Sequence, residues 1–353
     1  ITGDANGDDL LLAGTDFTDA INNTNYSDNS RVFSITGGTV NLNSLNITGG
    51  YASSSNGVVG GGIASVNDTI LNLDRSQIIG NRANIAGGGI YANDGTLTIT
   101  NSTIAHNHSD VLGGGVFSID THLTFSNSTL SDNHADYDGG GIYIKDGINS
   151  SLTHVTISGN HAGRDGGGLF EDRGNSPSLT NSIVLGNSAD GSGDETVNIT
   201  DDGSNIIGGS TTLENGDLVE ADDIFAEIEN GAGVLADNGG YVQTIALKAS
   251  RANIALDAVT STLTEDARGV TRPTDLEGID NGGTADIGAY ELSEEFLVEE
   301  ILVTTADDIV DDGDGVISLR EAISLVVEGG SITFDTAVFA DDGLIRLDAA
   351  LGE

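Results

Sequence analysis

The chain has 353 residues, 55 acidic against 12 basic side chains, and a formal charge of −43. That charge makes phosphate backbones and anionic lipid surfaces poor partners, favours cations, and suits saline or divalent-rich surroundings. Cysteine is absent, which removes disulfides, thiolate zinc sites and cysteine nucleophiles, and no apolar run approaches the roughly 20 residues of a membrane-spanning helix.

The chain opens "ITGDANGDD" and contains no methionine, so a longer or processed protein is expected, with any export signal outside these residues. Asp4, Asn6 and Asp8 stand at alternate positions, as at the start of a calcium loop, although no glutamate completes an EF-hand.

From residue 60 a repeat takes over. Glycine triplets begin at Gly60, Gly87, Gly113, Gly139 and Gly166, and Asn81, Asn107, Asn133, Asn160 and Asn187 follow the same beat. Two apolar columns keep step: Ile78, Ile104, Leu130, Ile157 and Val184, and Leu73, Ile99, Phe125, Leu152 and Leu179. Runs such as "TLTITNSTI" alternate apolar and polar residues between turn formers, so each lap reads as short strands. Short strands at a fixed period of about 20 to 30 residues predict an all-β, right-handed parallel β-helix, a solenoid with one lap of 26–27 residues per rung. Equivalent residues then stack about 4.8 Å apart. The aliphatic columns fill the bore, the glycines permit tight backbone approach, and the asparagines form a structural ladder of stacked amides.

Other columns leave alternatives open. Tyr91, Phe117, Tyr143 and Phe170 alternate with Ile90, Val116, Ile142 and Leu169, so one set faces in and the other out. An outward aromatic column is a candidate ligand face for sugar rings; an inward one is core stacking. Asp94, Asp120, Asp146 and Asp172 recur strictly, either bridged by calcium or splayed as turn residues. His108, His134 and His161 each follow a ladder asparagine, giving either a metal column or a polar outer face. Arg164 and Arg173, near Asp165, Glu171 and Asp172, are the best catalytic candidates for cleaving an acidic polysaccharide, and a poor set, because repeated laps offer no differentiated cleft. The Asn-x-Ser/Thr sequences are better explained by ladder composition than by glycosylation.

Toward the end, "ADDIFAEIE" suggests a short helix. "DDIVDDGDG" places Asp308, Asp311, Asp312 and Asp314 beside glycines, a second candidate calcium loop. Ser318 and Glu321 have capping-box spacing, Leu319, Ala322, Ile323 and Val326 share a face, and Gly329 and Gly330 end the predicted helix, which would plug or flank the bore.

The Ile-x-x-Asn and Gly-Gly-Gly-Ile pattern resembles the repeats of polymorphic outer membrane proteins and related bacterial surface β-helices. "LADNGGYVQTIALKASRANIALDAV", with "DARGVTRP" and "DIGAYE", is similar to the end module of secreted β-helix proteins with a choice-of-anchor region. "DDGDGVISLREAI" resembles the motif named for Cys-Ser-Leu-Arg-Glu-Ala, with Ile317 in place of cysteine. The resemblance implies β-helix rungs over 1–210, a closing module over 211–295, and the opening segment of a next tandem unit over 296–353. It also implies a secreted, extracellular or cell-surface location. The expected function is a stiff acidic rod or filament, with 296–353 joining head to tail onto the N-terminal rungs of the next unit. A glycan-binding adhesive module is the alternative and an enzyme comes third; calcium is the one candidate cofactor, and neither nucleic acid nor a membrane span is expected.

Overall fold

The computed structural model describes residues 30–53, 59–213, 215–250, 252–276, 279, 281–293, 298–308 and 316–339. Hydrogen bonding runs between laps, each strand pairing in parallel with its counterpart one lap later. The strands Ile63–Asp74, Ile90–Thr100, Val116–Ser131 and Ser151–Ser158 belong to one 16-stranded sheet, and a second, 6-stranded sheet joins two-residue strands from Tyr51–Ala52 to Ser188–Ala189. The chain is therefore a nearly all-β parallel solenoid, as the repeat predicts, with two short helices among the described residues.

Register explains the columns. Ile63, Ile90, Val116, Ile142 and Leu169 pair in succession, as do Leu73, Ile99, Phe125, Leu152 and Leu179. Ile47, Ile78, Ile104, Leu130, Ile157, Val184 and Ile207 make a third line. All three lines are buried in one continuous core, so the bore is filled by aliphatic side chains that repeat because their neighbours repeat.

The glycine triplets answer two separate demands. The first glycine of each sits at positive φ, +66° at Gly60 and +63° at Gly113. The second and third lie against the next lap: a Cβ on Gly114 would meet the His134 and Gly140 carbonyl oxygens at 2.4 and 2.5 Å. Three of the four recurrent aspartates, Asp94, Asp120 and Asp146, turn the chain at φ of 61°, 47° and 50°, and Asp172 does not share that conformation.

After the last coils the chain turns back along the flank of the stack. Ile183, Leu185 and Ile206 share a core with Val219, Ile224, Phe225, Leu256 and Tyr290. Thr103 Oγ1 donates to the Gln243 carbonyl, Gly233 N donates to Ser158 Oγ at 3.0 Å, and Ala289 N to Thr156 Oγ1 at 3.0 Å. The helix expected in "ADDIFAEIE" is a single turn, Ala221–Ile224.

The C-terminal residues form a small unit with its own core of Ile301, Val303, Ala322 and Val326. Strands Val298–Val303 and Val326–Phe334 pair in parallel around the helix Leu319–Leu325. Ser318 caps that helix: its Oγ accepts from Glu321 N at 3.1 Å and its N donates to Glu321 Oε2 at 2.7 Å. The helix stops at Leu325, before the glycines expected to end it, because β-branched Val326 enters the paired strand. It flanks its own strand pair, and Ile317 packs on that core where the resembling motif has cysteine.

Replacing Gly114 by alanine forces two laps apart and is expected to cost more than about 3 kcal/mol. Gly203→Ala, at φ +96° with nothing near its Cβ direction, should cost only about 1 kcal/mol. Urea denaturation of both variants checks the contrast.

Candidate functional site

The asparagine ladder is continuous. The side-chain amide of Asn81 donates to Asn107 Oδ1 at 3.0 Å, Asn107 to Asn133 at 3.0 Å, Asn133 to Asn160 at 2.8 Å and Asn160 to Asn187 at 2.8 Å. Each backbone N–H donates to the same oxygen, and each amide reaches back to a core carbonyl, as Asn133 does to Ile104 O at 2.9 Å. The first four are at most 1% exposed, so this is a buried polar network with its donors and acceptors matched. It ends at Asn187 on a different group: Glu195 accepts from Asn187 Nδ2 at 2.6 Å and from Gly186 N at 2.9 Å. Glu195 occupies the third position of a broken triplet, Gly193-Asp194-Glu195, and burial pushes its carboxyl up to about 7.

A second ladder was missed in the sequence. Ser102 Oγ accepts from Ser76 N at 3.1 Å, Ser128 Oγ from Ser102 N at 3.2 Å, and all three serines are fully buried. The recurring "NS" dipeptide was the available signal. Asn101, Asn127 and Asn181 turn the chain at φ near +50° just before Ser102, Ser128 and Ser182.

The aromatic column lies outside the bore. Tyr91, Phe117, Tyr143 and Phe170 stack at 5.2–5.3 Å with interplanar angles of 4–14°. They form a second cluster with Ala86 and Leu112, and Phe117 and Tyr143 are 6% and 5% exposed. Their faces are covered by one another, which leaves edges rather than the open ring faces a sugar would stack on.

His108, His134 and His161 continue the 6-stranded sheet, paired in register between Arg82 and Ser188. Adjacent rings lie 4.9 Å apart. Burial, then the imidazoles of His108 and His161, lowers His134 to about 4, so it is neutral at pH 7. His134 Nε2 lies 3.1 Å from Asp136 Oδ1, and His108 Nε2 lies 3.4 Å from that oxygen and 3.2 Å from Asp110 Oδ1. The ligand atoms of His108, His134 and Asp136 are all within 4.8 Å of one another.

The end-module motifs supply the most enclosed charges. Arg272, fully buried, forms an ion pair with Glu291 Oε2 at 2.9 Å and donates to the Gly288 carbonyl at 3.0 Å and to His154 Nδ1. Arg268 pairs with Asp266 at 2.7 Å and lies 3.6 Å over the Tyr290 ring. Gly288, at φ +94°, lets the backbone approach Thr156 where a Cβ would stand 2.7 Å from its Oγ1. "DARGVTRP" and "DIGAYE" thus clamp the flank module to the stack. Burial raises Glu291 to about 7 and lowers His154 to about 3, the latter helped by Arg272.

Of the calcium candidates, Asp4, Asn6, Asp8, Asp311, Asp312 and Asp314 lie outside the described residues. Asp308 is 3% exposed and paired with both sides of the Arg320 guanidinium, at 3.0 and 2.9 Å, which makes the motif arginine its partner. The catalytic candidates sit in separate ion pairs, Arg164 with Asp138 and Arg173 with Asp172.

His154 generates a pH prediction. Its folded-state value lies below the ordinary 6.5, so the stability it contributes is present above pH 6.5 and is lost as pH falls toward 3. Between pH 7 and pH 5 the wild type should lose stability relative to His154→Asn, measured by urea denaturation; parallel losses would show that His154 is not held neutral.

Compared with known proteins, the chain matches no family model, no curated protein and no solved structure.

Proposed function

We propose that the chain is a structural module, a stiff acidic rod of a bacterial cell surface or extracellular matrix, extended by joining copies head to tail. The observation that carries this reading is the uninterrupted amide ladder from Asn81 to Asn187, which devotes buried side chains on successive laps to axial cohesion. Side chains that repeat in register give a surface of stripes rather than a cleft with differentiated groups.

Two features support end-to-end joining. In the first described lap Thr39 pairs with Ile70 and Asn46 with Gln77, and in the C-terminal unit Ile301 pairs with Ile332, in each case an offset of 31 residues. The C-terminal unit thus has the spacing of an opening lap. Its two-stranded sheet leaves Leu302 and Phe334 46% and 41% exposed, apolar surface that a further lap would bury. At the other end, Phe33–Thr36 and Thr39–Asn43 pair on one side only among the described residues.

The test is the light-scattering mass of the full chain after size-exclusion chromatography in saline buffer with calcium. Joining predicts mass that grows with concentration and falls back when Leu302 and Phe334 are replaced by serine. A concentration-independent monomer of 35.9 kDa would remove non-covalent joining from the account.

A further inference from the structure

The histidine column departs from the pattern of the other ladders. The asparagine and serine ladders bind themselves, whereas the Nε2 atoms of His108 and His134 share the Asp136 carboxylate at the surface, with Asp110 also beside His108. The stacking that aligns the two rings at 4.9 Å is imposed by the parallel register His108↔His134, so two imidazole nitrogens are presented side by side before any ligand arrives. Asp136 is exposed, with its side chain 46% accessible, while the His108 side chain is only 8% accessible. One ligand is anchored deep and another faces solvent, the arrangement that lets an ion enter and then be held.

We propose that His108 Nε2, His134 Nε2 and Asp136 Oδ1 form a binding site for a divalent transition-metal ion of zinc-like preference. Ligand atoms at about 2.0–2.1 Å from a tetrahedral zinc stand about 3.3 Å from one another. The two nitrogen-to-carboxylate separations here are 3.1 and 3.4 Å, and the two rings, stacked at 4.9 Å and 12° from parallel, tilt toward each other to converge on one ion. Two imidazoles and one carboxylate select zinc, nickel, copper or cobalt over calcium, which takes six to eight oxygen ligands. Three protein ligands leave a fourth position for water or for a side chain of another molecule. Asp110, held by Arg82 at 2.7 Å, lies 3.2 Å from the same His108 Nε2 and adds a carboxylate charge beside the site. The net charge of −43 raises the local concentration of any divalent cation around the rod.

The test uses the full chain, free of any polyhistidine tag and stripped with chelator, titrated with cobalt(II) and then zinc. The expected result is one saturable equivalent with the intense visible d–d bands of tetrahedral cobalt, displaced by zinc and retained in excess calcium. His134→Gln and Asp136→Asn should each weaken binding by roughly tenfold or more. His122→Ala, a histidine that bonds the Ile148 carbonyl elsewhere on the coil, should leave binding unchanged. Asp136→Asn alters an exposed turn residue, and unchanged circular dichroism would show that the fold persists. Several weak equivalents that calcium displaces and that both ligand variants retain would overturn the proposal, because they would be condensation on the acidic surface. Absence of any saturable cobalt binding would overturn it equally.

Discussion

Parallel stacking of laps is the constraint from which the remaining structure follows. A lap is hydrogen-bonded to the lap before it and the lap after it, so a side chain is placed beside its own equivalents at the strand spacing of about 4.8 Å. A residue type that cannot tolerate a copy of itself at that distance is disfavoured in a column. Aliphatic residues satisfy the rule by packing, glycine by having no side chain to collide, and asparagine by being both donor and acceptor. The amide of Asn133 shows how complete the fit is, accepting from Asn107 and donating to Asn160 and Ile104 while 1% exposed.

The same rule explains what was legible before the fold was seen. Periodicity specifies parallel coils because a constant lap length is the geometric condition for stacking, so the glycine, asparagine and aliphatic columns read directly from their spacing. Periodicity says nothing about direction: Tyr91 and Ile90 recur equally well, and only the packed core shows that isoleucine faces the bore while tyrosine lies under the turn of Ala86 and Leu112. Serine gave too weak a signal to be noticed, since it is common in strands and turns alike, yet Ser76, Ser102 and Ser128 form a ladder. Glu195 was invisible for a different reason. It works where the repeat stops, and a group that caps a ladder has no counterpart one lap away.

Non-repeating contacts dominate the flank module. Arg272 finds His154 across 118 residues, a partnership that no local spacing could disclose, and the motif residues Asp266, Arg268, Asp286 and Glu291 enclose one another in the same cluster. Removing one member would strand a buried charge, a loss of about 3–5 kcal/mol. The motifs thereby fasten the flank module to the stack. Function, on this account, resides in the length and cohesion of the stack, with the histidine column as the place where a repeated side chain meets a ligand other than itself.

The most direct test of that cohesion is the equilibrium stability of Asn133→Ala. The substitution deletes the central amide, removes one donor from the Ile104 carbonyl, and takes away the acceptor of the Asn107 backbone N–H and of one of its amide N–H groups in a buried position. The account predicts a loss of about 2–4 kcal/mol, with amide hydrogen exchange accelerated in the laps on both sides. A loss below about 0.5 kcal/mol, the level of an ordinary surface substitution, would contradict it and show that backbone pairing and the aliphatic bore hold the rod without the ladder.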